Sequence, residues 1–469
     1  MKANVKFILC LFLFPLSFAF AEDSKISDKV IPLQIHDFPE RPSPILELGD
    51  PLLKTGKIST GFVIPTGAVW QPSLIIWGDY RTALQSVDRD VEKSGDRLTE
   101  WANRFDLFGN LALTSTERFL VGFRPLDRKG KFTRYTFEAL DTNKSEENKF
   151  EEEFNSEFTT FFFEGDFGEI FPNLDLQDKN GLDYYFAVGR QPISWQDGML
   201  INDRLDSLGI SKINLKPNWA VNYRSTLLWA WNEVNRKNLA NDDGDSSLYG
   251  FSNEIDFKET TAEFDIVYVD AKSETGDGIY GGVGFTHRLY SINNTWRVLG
   301  SHAVGDDTDH NQKGILFFTE LSTDLEGSGD YVYLDTFYAK DHFRSASRAS
   351  DAGGPLGGTG VLFASLGLGR YSAALSNQAD DAFGSALGYQ VFFNKRRQNL
   401  ILELGGRYAV EEIGQRAIAS GLSLQTAIGQ RNVLRFDTYV KYGKERVSLE
   451  NAEDDTLGIG ARVEWMLRL

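Results

Sequence analysis

The feature that most constrains the fold is a series of short segments, from about residue 73 to the C-terminus, in which apolar and polar residues alternate. The last one, TLGIGARVEWMLRL, is the clearest: every second residue from Leu457 to Leu469 is apolar, while Arg462 and Glu464 lie on the other face. Strict alternation predicts β-strands with one apolar and one polar face. Turns rich in Gly, Asn and Asp separate the segments, so the chain is predicted to be all-β.

Two architectures can use such strands: a soluble sandwich or solenoid with buried apolar faces, and a membrane barrel with apolar faces toward lipid. An export signal, 13% aromatic residues with Trp and Tyr near strand ends, and a strand that runs to the last residue favour the barrel. Leu469 departs from the aromatic residue common at that terminus. We predict a transmembrane antiparallel up-and-down β-barrel in the bacterial outer membrane, surrounded by lipid and lipopolysaccharide and inserted by the barrel assembly machinery.

The first 21 residues are predicted to be a signal peptide. Lys2 and Lys6 precede a short apolar stretch, and Ala19-Phe20-Ala21 forms a small-x-small cleavage signal. Cys10 lies inside this segment, so the mature chain has no thiol for a disulfide, zinc site or nucleophile.

Residues 22–57 are predicted to form a periplasmic or lumen-entering extension, because they are irregular and rich in proline. Residues 58–469 are assigned to the barrel. We expect about 18 strands, with a range of 16 to 20, short periplasmic turns and longer outer loops. If residues 360–375 formed one strand, the long loops before them would face the periplasm and the short turns would face outward. We therefore predict that these residues split at Gly367-Leu368-Gly369 into two strands.

The formal net charge of -18 and the lack of a continuous basic segment argue against a nucleic-acid partner. The acidic run at residues 141–154 is interpreted as a solvated loop. Bridging to lipopolysaccharide through divalent cations, or an acidic collar at the mouth, is the alternative.

The stretch AVGRQPISWQDGML, residues 187–200, ends a strand and enters a connection rich in both apolar and charged residues. The series Val188-Gly-Arg-Gln, Asp197-Gly198, Asn202, Arg204 and Asp206 resembles the signature of the alginate-export family of outer-membrane porins. The resemblance implies a monomeric barrel of about 18 strands that passes an anionic polysaccharide or smaller solutes. Pro192 and Ile193 replace the Arg-rich continuation of dedicated alginate exporters, which argues against alginate itself.

We expect the loop that begins at Pro192 to fold into the lumen. Its apolar residues would then anchor it to the wall, while its polar side chains face the solute path. The constriction is predicted to consist of Arg190, Asp197, Asn202, Arg204 and Asp206.

The polar faces of the strands supply a further set of candidate pore-lining cations. They are Arg134, Arg224, Arg288, Arg407, Arg435 and Arg462, together with Arg104, Arg118 and Arg124. Fewer acids share these faces: Asp106, Glu138, Glu403, Asp437 and Glu464. Guanidinium groups bind carboxylates bidentately, so this excess favours an anionic solute such as an acidic saccharide or exopolysaccharide. The alternative is that the arginines pair with acids and only hydrate the wall.

Two other functional classes remain open: a barrel enzyme with a triad assembled across strands, and a structural or adhesive barrel with an occluded lumen. The five histidines are scattered, and no nucleophile-elbow or zinc-helix motif occurs. We therefore predict a channel with no catalytic residues, metal or cofactor.

Overall fold

The computed structural model describes residues 42–49, 60–93, 95–174, 176, 181–236, 246–271, 275–411, 413–446 and 455–469. The predicted signal peptide and most of the predicted extension lie outside these ranges. Within them, no helix is long and apolar enough to cross a bilayer.

Eighteen antiparallel strands form a closed barrel, as the sequence predicts. In chain order they are β1 Ser73–Asp88, β2 Arg97–Ala112, β3 Arg118–Phe123 with Lys131–Glu138, β4 Lys149–Glu151 with Phe158–Asp166, β5 Tyr184–Trp195, β6 Ile201–Leu215, β7 Asn222–Asn232, β8 Ser246–Asp256, β9 Thr260–Ala271, β10 Asp277–Leu289, β11 Ile292–Val304, β12 Gly314–Asp324, β13 Tyr331–Phe343, β14 Ala379–Phe393, β15 Gln398–Ala409, β16 Gly414–Ile428, β17 Asn432–Arg446 and β18 Thr456–Arg468. β3 and β4 are each interrupted, and both segments of β3 pair with β2.

The barrel closes where β18 pairs with β1, from Arg468 opposite Asp79 to Ile459 opposite Asp88. The N–H of Leu469 donates to the carbonyl of Gly78 at 2.7 Å, so pairing continues to the last residue. Closure leaves no unpaired sheet edge at the β18–β1 seam, where such an edge would be costly in the bilayer.

Short elements decorate this frame. They are the strands Leu46–Leu48, Phe62–Val63, Val69–Trp70, Asp127–Arg128 and Ser347–Arg348, the helix Phe167–Ile170, and the 3₁₀ turns Asp141–Glu146, Pro172–Leu174 and Ser350–Ala352. Leu46–Leu48 pairs with residues 74–76 of β1 below the end of β18, so part of the predicted extension joins the barrel rim.

The two rims differ in the length of their connections. Residues 257–259, 290–291 and 429–431 are short turns at the rim where β18 ends, which we take as periplasmic. The connection 167–183 is a longer exception at this rim. The connections after β7 and after β11 lie at the other, outer rim and are longer, in agreement with the predicted long outer loops.

The prediction of two strands within residues 360–375 is wrong. Residues 344–378 form one long outer-rim connection, and Leu362, Phe363 and Leu375 within it are buried in the largest hydrophobic cluster. Their alternation reflects packing inside the lumen, not contact with lipid. The predicted assignment of turns to the periplasmic rim and loops to the outer rim is still correct. The segment contributes no wall strand where two were predicted, and an even change in strand number does not reverse the direction of the strands before it.

The two faces of the strands follow the predicted alternation. On β18, Val463 is 50% exposed, whereas Arg462 and Glu464 are buried on the lumenal side. The exposed apolar faces of the barrel form the surface that meets lipid, with Trp219 and Trp465 near the periplasmic rim and Trp229 and Trp231 near the outer rim. A closed barrel with this surface is an outer-membrane protein.

Candidate functional site

The hairpin formed by β5 and β6 leaves the barrel wall before its tip. β5 pairs with β4 only as far as Arg190 opposite Phe161, and β6 pairs with β7 only as far as Asp206 opposite Asn232. Residues 191–205 pair chiefly with each other and bend inward. We call these residues the inward hairpin.

Gly189 is the point at which the inward hairpin departs. Its φ is +122°, and a Cβ there would lie 2.3 Å from the carbonyl oxygen of Phe161. Only glycine fits both the conformation and the space. Pro192 follows on an edge that β4 no longer pairs, where its missing N–H costs no ladder hydrogen bond. The Gly-Arg-Gln-Pro sequence thus bends the strand and releases one of its edges.

The tip of the inward hairpin is tied to the lumenal face of β11. Gln196 and Asp197 both have φ of +53° and lead into Gly198. The Arg297 guanidinium of β11 donates to Asp197 Oδ2 at 2.8 Å and to Gln196 Oε1 at 2.8 Å. Because Arg297 is buried, these bonds fix the tip against the wall.

One face of the inward hairpin is apolar and packed. Met199, Leu200, Ile201 and Leu205 are buried in one cluster with lumenal residues of β7 to β12. Complete burial of such a side chain contributes roughly 1.5–3 kcal/mol. The hairpin is therefore a packed part of the barrel interior.

Residues 344–378, which we call the inward segment, form the second lumenal element. Ser347–Arg348 pairs in parallel with Ile201 and Asn202 of the inward hairpin. Wall carboxylates hold the rest: Glu403 accepts from the backbone N–H groups of Val361 and Leu362, and Glu100 accepts from Arg370 Nε at 2.7 Å.

A charge cluster forms where the inward segment meets the wall. Asp351 Oδ2 accepts a hydrogen bond from Arg124 Nη1 at 2.8 Å and lies 3.5 Å from Arg104 Nη1. Both arginines also donate to the carboxylate of Asp106. Burial alone would raise the pKa of Asp351, but the charges of Arg124, Arg204 and Arg104 outweigh it and hold the pKa at about 2. Asp351 is therefore ionised at neutral pH.

A polar cleft of about 80 Å³ lies beside this cluster, between the inward hairpin, the inward segment and residues 124–130. We call it the inner cleft. Arg124, Asp351, Arg190 and Arg204 line it. Within the described residues, the Arg204 guanidinium makes no hydrogen bond or ion pair, although Asp351 is close enough to feel its charge. Arg204 can therefore offer donors to a solute anion.

The other predicted constriction residues occupy different positions along the inward hairpin. Asp197 is at the tip, and the carbonyl of Asn202 accepts from the Ala349 N–H at 2.9 Å. Arg190 lies opposite Phe161 on the lipid-facing side of the sheet. Its Nε and one terminal nitrogen donate to the two carboxylate oxygens of Asp206 at 2.8 and 2.9 Å. Arg190 and Asp206 are thus a bidentate pair at the base of the hairpin.

The six wall arginines predicted to line the pore all lie on lumenal faces, but four are paired with carboxylates. Arg134 pairs with Glu151, Arg224 with Glu254, Arg435 with Asp437, and Arg462 with Asp437 and Glu464. Arg407 donates to the carbonyls of Ser376 and Gln378 and so holds the inward segment. Arg288 is exposed near the periplasmic rim and makes no side-chain ion pair with a described residue. The wall is a mixed-charge network.

Sequence reasoning missed Arg297, Gln196 and Asp351. Arg297 could have been found, because it alternates with the outward Trp296 and Val298. Asp351 gave no signal, since its partner Arg124 is 227 residues away in sequence. Among the described residues, no group of three His, Cys, Asp or Glu could hold a metal ion.

Comparison with known proteins identifies similar folds. No family model matches the sequence, and no curated protein matches it. Among solved structures, OccAB2 of Acinetobacter baumannii is similar with a TM-score of 0.52 and 11% identity, covering 84% of this chain and 98% of the other. OccK9 (OpdG) of Pseudomonas aeruginosa has a TM-score of 0.53 and 10% identity, with the same coverage of 84% and 98%.

A BenF-like porin from Pseudomonas fluorescens Pf-5 is similar with a TM-score of 0.53 and 8% identity, covering 84% of this chain and 99% of the other. At these identities the similarity concerns the fold. The chain therefore has the 18-strand barrel fold found in bacterial outer-membrane porins.

Proposed function

We propose that the protein is a porin-like channel for hydrophilic solutes and that Arg204 contacts an anionic solute in the inner cleft. The observation that carries the proposal is the Arg204 guanidinium at the junction of the two inward elements, which makes no hydrogen bond or ion pair with a described residue and so keeps its donors available. The cleft is lined mainly by polar and charged side chains of the inward hairpin, the inward segment and residues 124–130. Such a fixed cation attracts anions, while nearby acids limit how tightly they are held.

The solute class we favour is an acidic saccharide or a related small carboxylate. Carboxylates fit guanidinium groups bidentately, and the motif resemblance to alginate-export porins points to acidic saccharides. Because most wall arginines are paired, the preference is assigned to Arg204, with Arg190 at the edge of the same cleft, and not to the wall as a whole.

The reversal potential of single channels in a KCl gradient across a planar bilayer tests this proposal. Arg204→Ala should lower the chloride-over-potassium permeability ratio, by at most about fivefold, because a unit charge at 4 Å in water is worth ~1 kcal/mol. Arg190→Ala should lower it less, since Asp206 neutralises that charge. Arg396→Ala, in the periplasmic turn after β14, removes the same charge outside the cleft and should leave the ratio unchanged. Equal ratios for Arg204→Ala and the parent would refute the role of Arg204.

A structural or adhesive barrel with an occluded lumen is the second candidate, and one observation favours it. Both inward elements pack apolar side chains across the outer half of the lumen, as Leu200 and Phe363 show. The absence of any conductance step from the parent protein would support this candidate and refute the channel.

A further inference from the structure

The inward hairpin leaves a lateral gap in the barrel wall. Pairing of β5 with β4 stops at Phe161, and pairing of β6 with β7 stops at Asn232. From these residues toward the outer rim, the described part of the wall has no strand between β4 and β7, because residues 191–205 have turned inward. The upper segment of β4, Lys149–Glu151, pairs with β3 alone. A side opening between β4 and β7 results.

A cleft of about 730 Å³ occupies this gap, and we call it the outer cleft. Phe158 and Phe161 line it and are 42% and 49% exposed on the face of the sheet that meets lipid. Arg128 and Lys131 line it as well and are exposed. The cleft therefore combines an apolar surface with a cationic one, and its volume lies in the range of small-molecule sites.

The outer cleft is lined by four cations and three acids, and Arg128, Lys131 and Glu157 are the ones that form no ion pair with a described residue. The Asp206 carboxylate accepts from Arg190. The Glu233 carboxylate lies 3.0 Å from Arg190 Nη2 and 3.8 Å from Lys129 Nζ. Arg128 donates to the carbonyl of Phe154 at 3.2 Å, but neither Arg128 nor Lys131 forms an ion pair with any residue that the structure describes. Arg128 and Lys131 are thus available to an external anion, and the lining keeps one net positive charge after Glu157 is counted.

We propose that the outer cleft binds a phosphorylated lipid of the outer leaflet, namely the lipid A part of lipopolysaccharide. Its phosphate would bind Arg128 and Lys131, and an acyl chain would lie along Phe158 and Phe161. Arginine and lysine together supply charge-assisted donors suited to a phosphate, and the phenylalanines supply the apolar contact that a free phosphate would not use. Because the cleft opens on the lipid-facing side, a membrane lipid can reach it without entering the lumen. The inference does not rest on the proposed channel function.

Native mass spectrometry of the full-length protein in detergent, titrated with bisphosphorylated lipid A, tests the site. Arg128→Ala/Lys131→Ala should weaken binding of one lipid A molecule by about tenfold or more, the factor expected for a lost charge-assisted contact. Lys313→Ala/Lys340→Ala removes two other charges near the outer rim and should bind like the parent. Heat-modifiable gel mobility should be unchanged in both variants, since the altered side chains are exposed.

Two further measurements separate the lipid from a free anion. Dephosphorylated lipid A should bind the parent as weakly as bisphosphorylated lipid A binds the double variant, and Phe161→Ser should also weaken lipid A binding. Millimolar inorganic phosphate should not displace lipid A. Equal lipid A binding by the parent and Arg128→Ala/Lys131→Ala would overturn the site, and full displacement by inorganic phosphate would overturn its assignment to a lipid.

Discussion

At the scale of single residues, Asp351 shows how the lumen can hold buried charge. The Asp351 carboxylate lies among Arg124, Arg104 and Arg204, and it fixes the inward segment against β2 and residue 124. Removing one partner of a buried ion pair leaves the other charge uncompensated and costs about 3–5 kcal/mol. The cluster should therefore be far more sensitive to substitution than an exposed ion pair.

Asp351→Asn should lower the unfolding temperature, measured by heat-modifiable gel mobility, and should flatten its dependence on pH below 4. The pKa of Asp351 is about 2 in the folded barrel, below its ordinary value of 3.8. A depressed pKa contributes stability that is fully present above 3.8 and is lost as the pH falls through about 2. Asp309→Asn, an exposed loop acid, should keep the parental profile. A parental profile in Asp351→Asn would contradict the assigned role.

Gly189 gives a second test at this scale. Gly189→Ala places a methyl group against the carbonyl of Phe161 at a positive φ, with an expected cost on the order of 1–3 kcal/mol in free energy of unfolding. Gly209→Ala, on β6 of the same hairpin, meets only Leu228 at 4.0 Å and should cost little. Equal urea midpoints for the two variants would show that Gly189 is not a required hinge.

At the scale of elements, alternation predicts the wall strands but cannot tell which apolar face meets lipid. β18 and the inward segment have similar patterns, yet Val463 faces lipid and Leu362 packs in the lumen. The inward hairpin was accessible to sequence reasoning, because Gly-Arg-Gln-Pro breaks the strand and both apolar and charged residues follow. The breaks within β3 and β4 were not predicted; the turn at the β3 break lies beside Ser350, which is distant in sequence and which no local pattern connects to Gly130.

Substitutions on opposite faces test this assignment. Leu402→Arg, in the middle part of β15, should lower the free energy of unfolding in lipid vesicles by about 2–4 kcal/mol, because the side chain is 45% exposed toward lipid. Thr286→Arg, on the lumenal face of β10, should assemble normally, since Thr286 is exposed to the polar lumen near the periplasmic rim. Similar losses at both positions would contradict the assigned faces.

At the scale of the whole molecule, β18 pairs with β1 to close the barrel, and two elements that support each other narrow its interior. The inward hairpin and the inward segment pair through Ile201 and Ser347, and the buried Arg297 and Glu403 tie them to the wall. The strand count sets the width of the barrel, while these elements set the width of any path through it. The functional proposal therefore depends on the interior more than on the wall.

The most direct test of the account is the single-channel conductance of a trimmed variant. Replacing residues 191–205 with Asn-Gly keeps Arg190 opposite Asp206 and forms a two-residue hairpin turn. The parent should show small, discrete conductance steps, and the trimmed barrel should show larger ones because the inward hairpin no longer narrows the lumen. Identical conductance in the two proteins would contradict the claim that the inward hairpin forms the constriction.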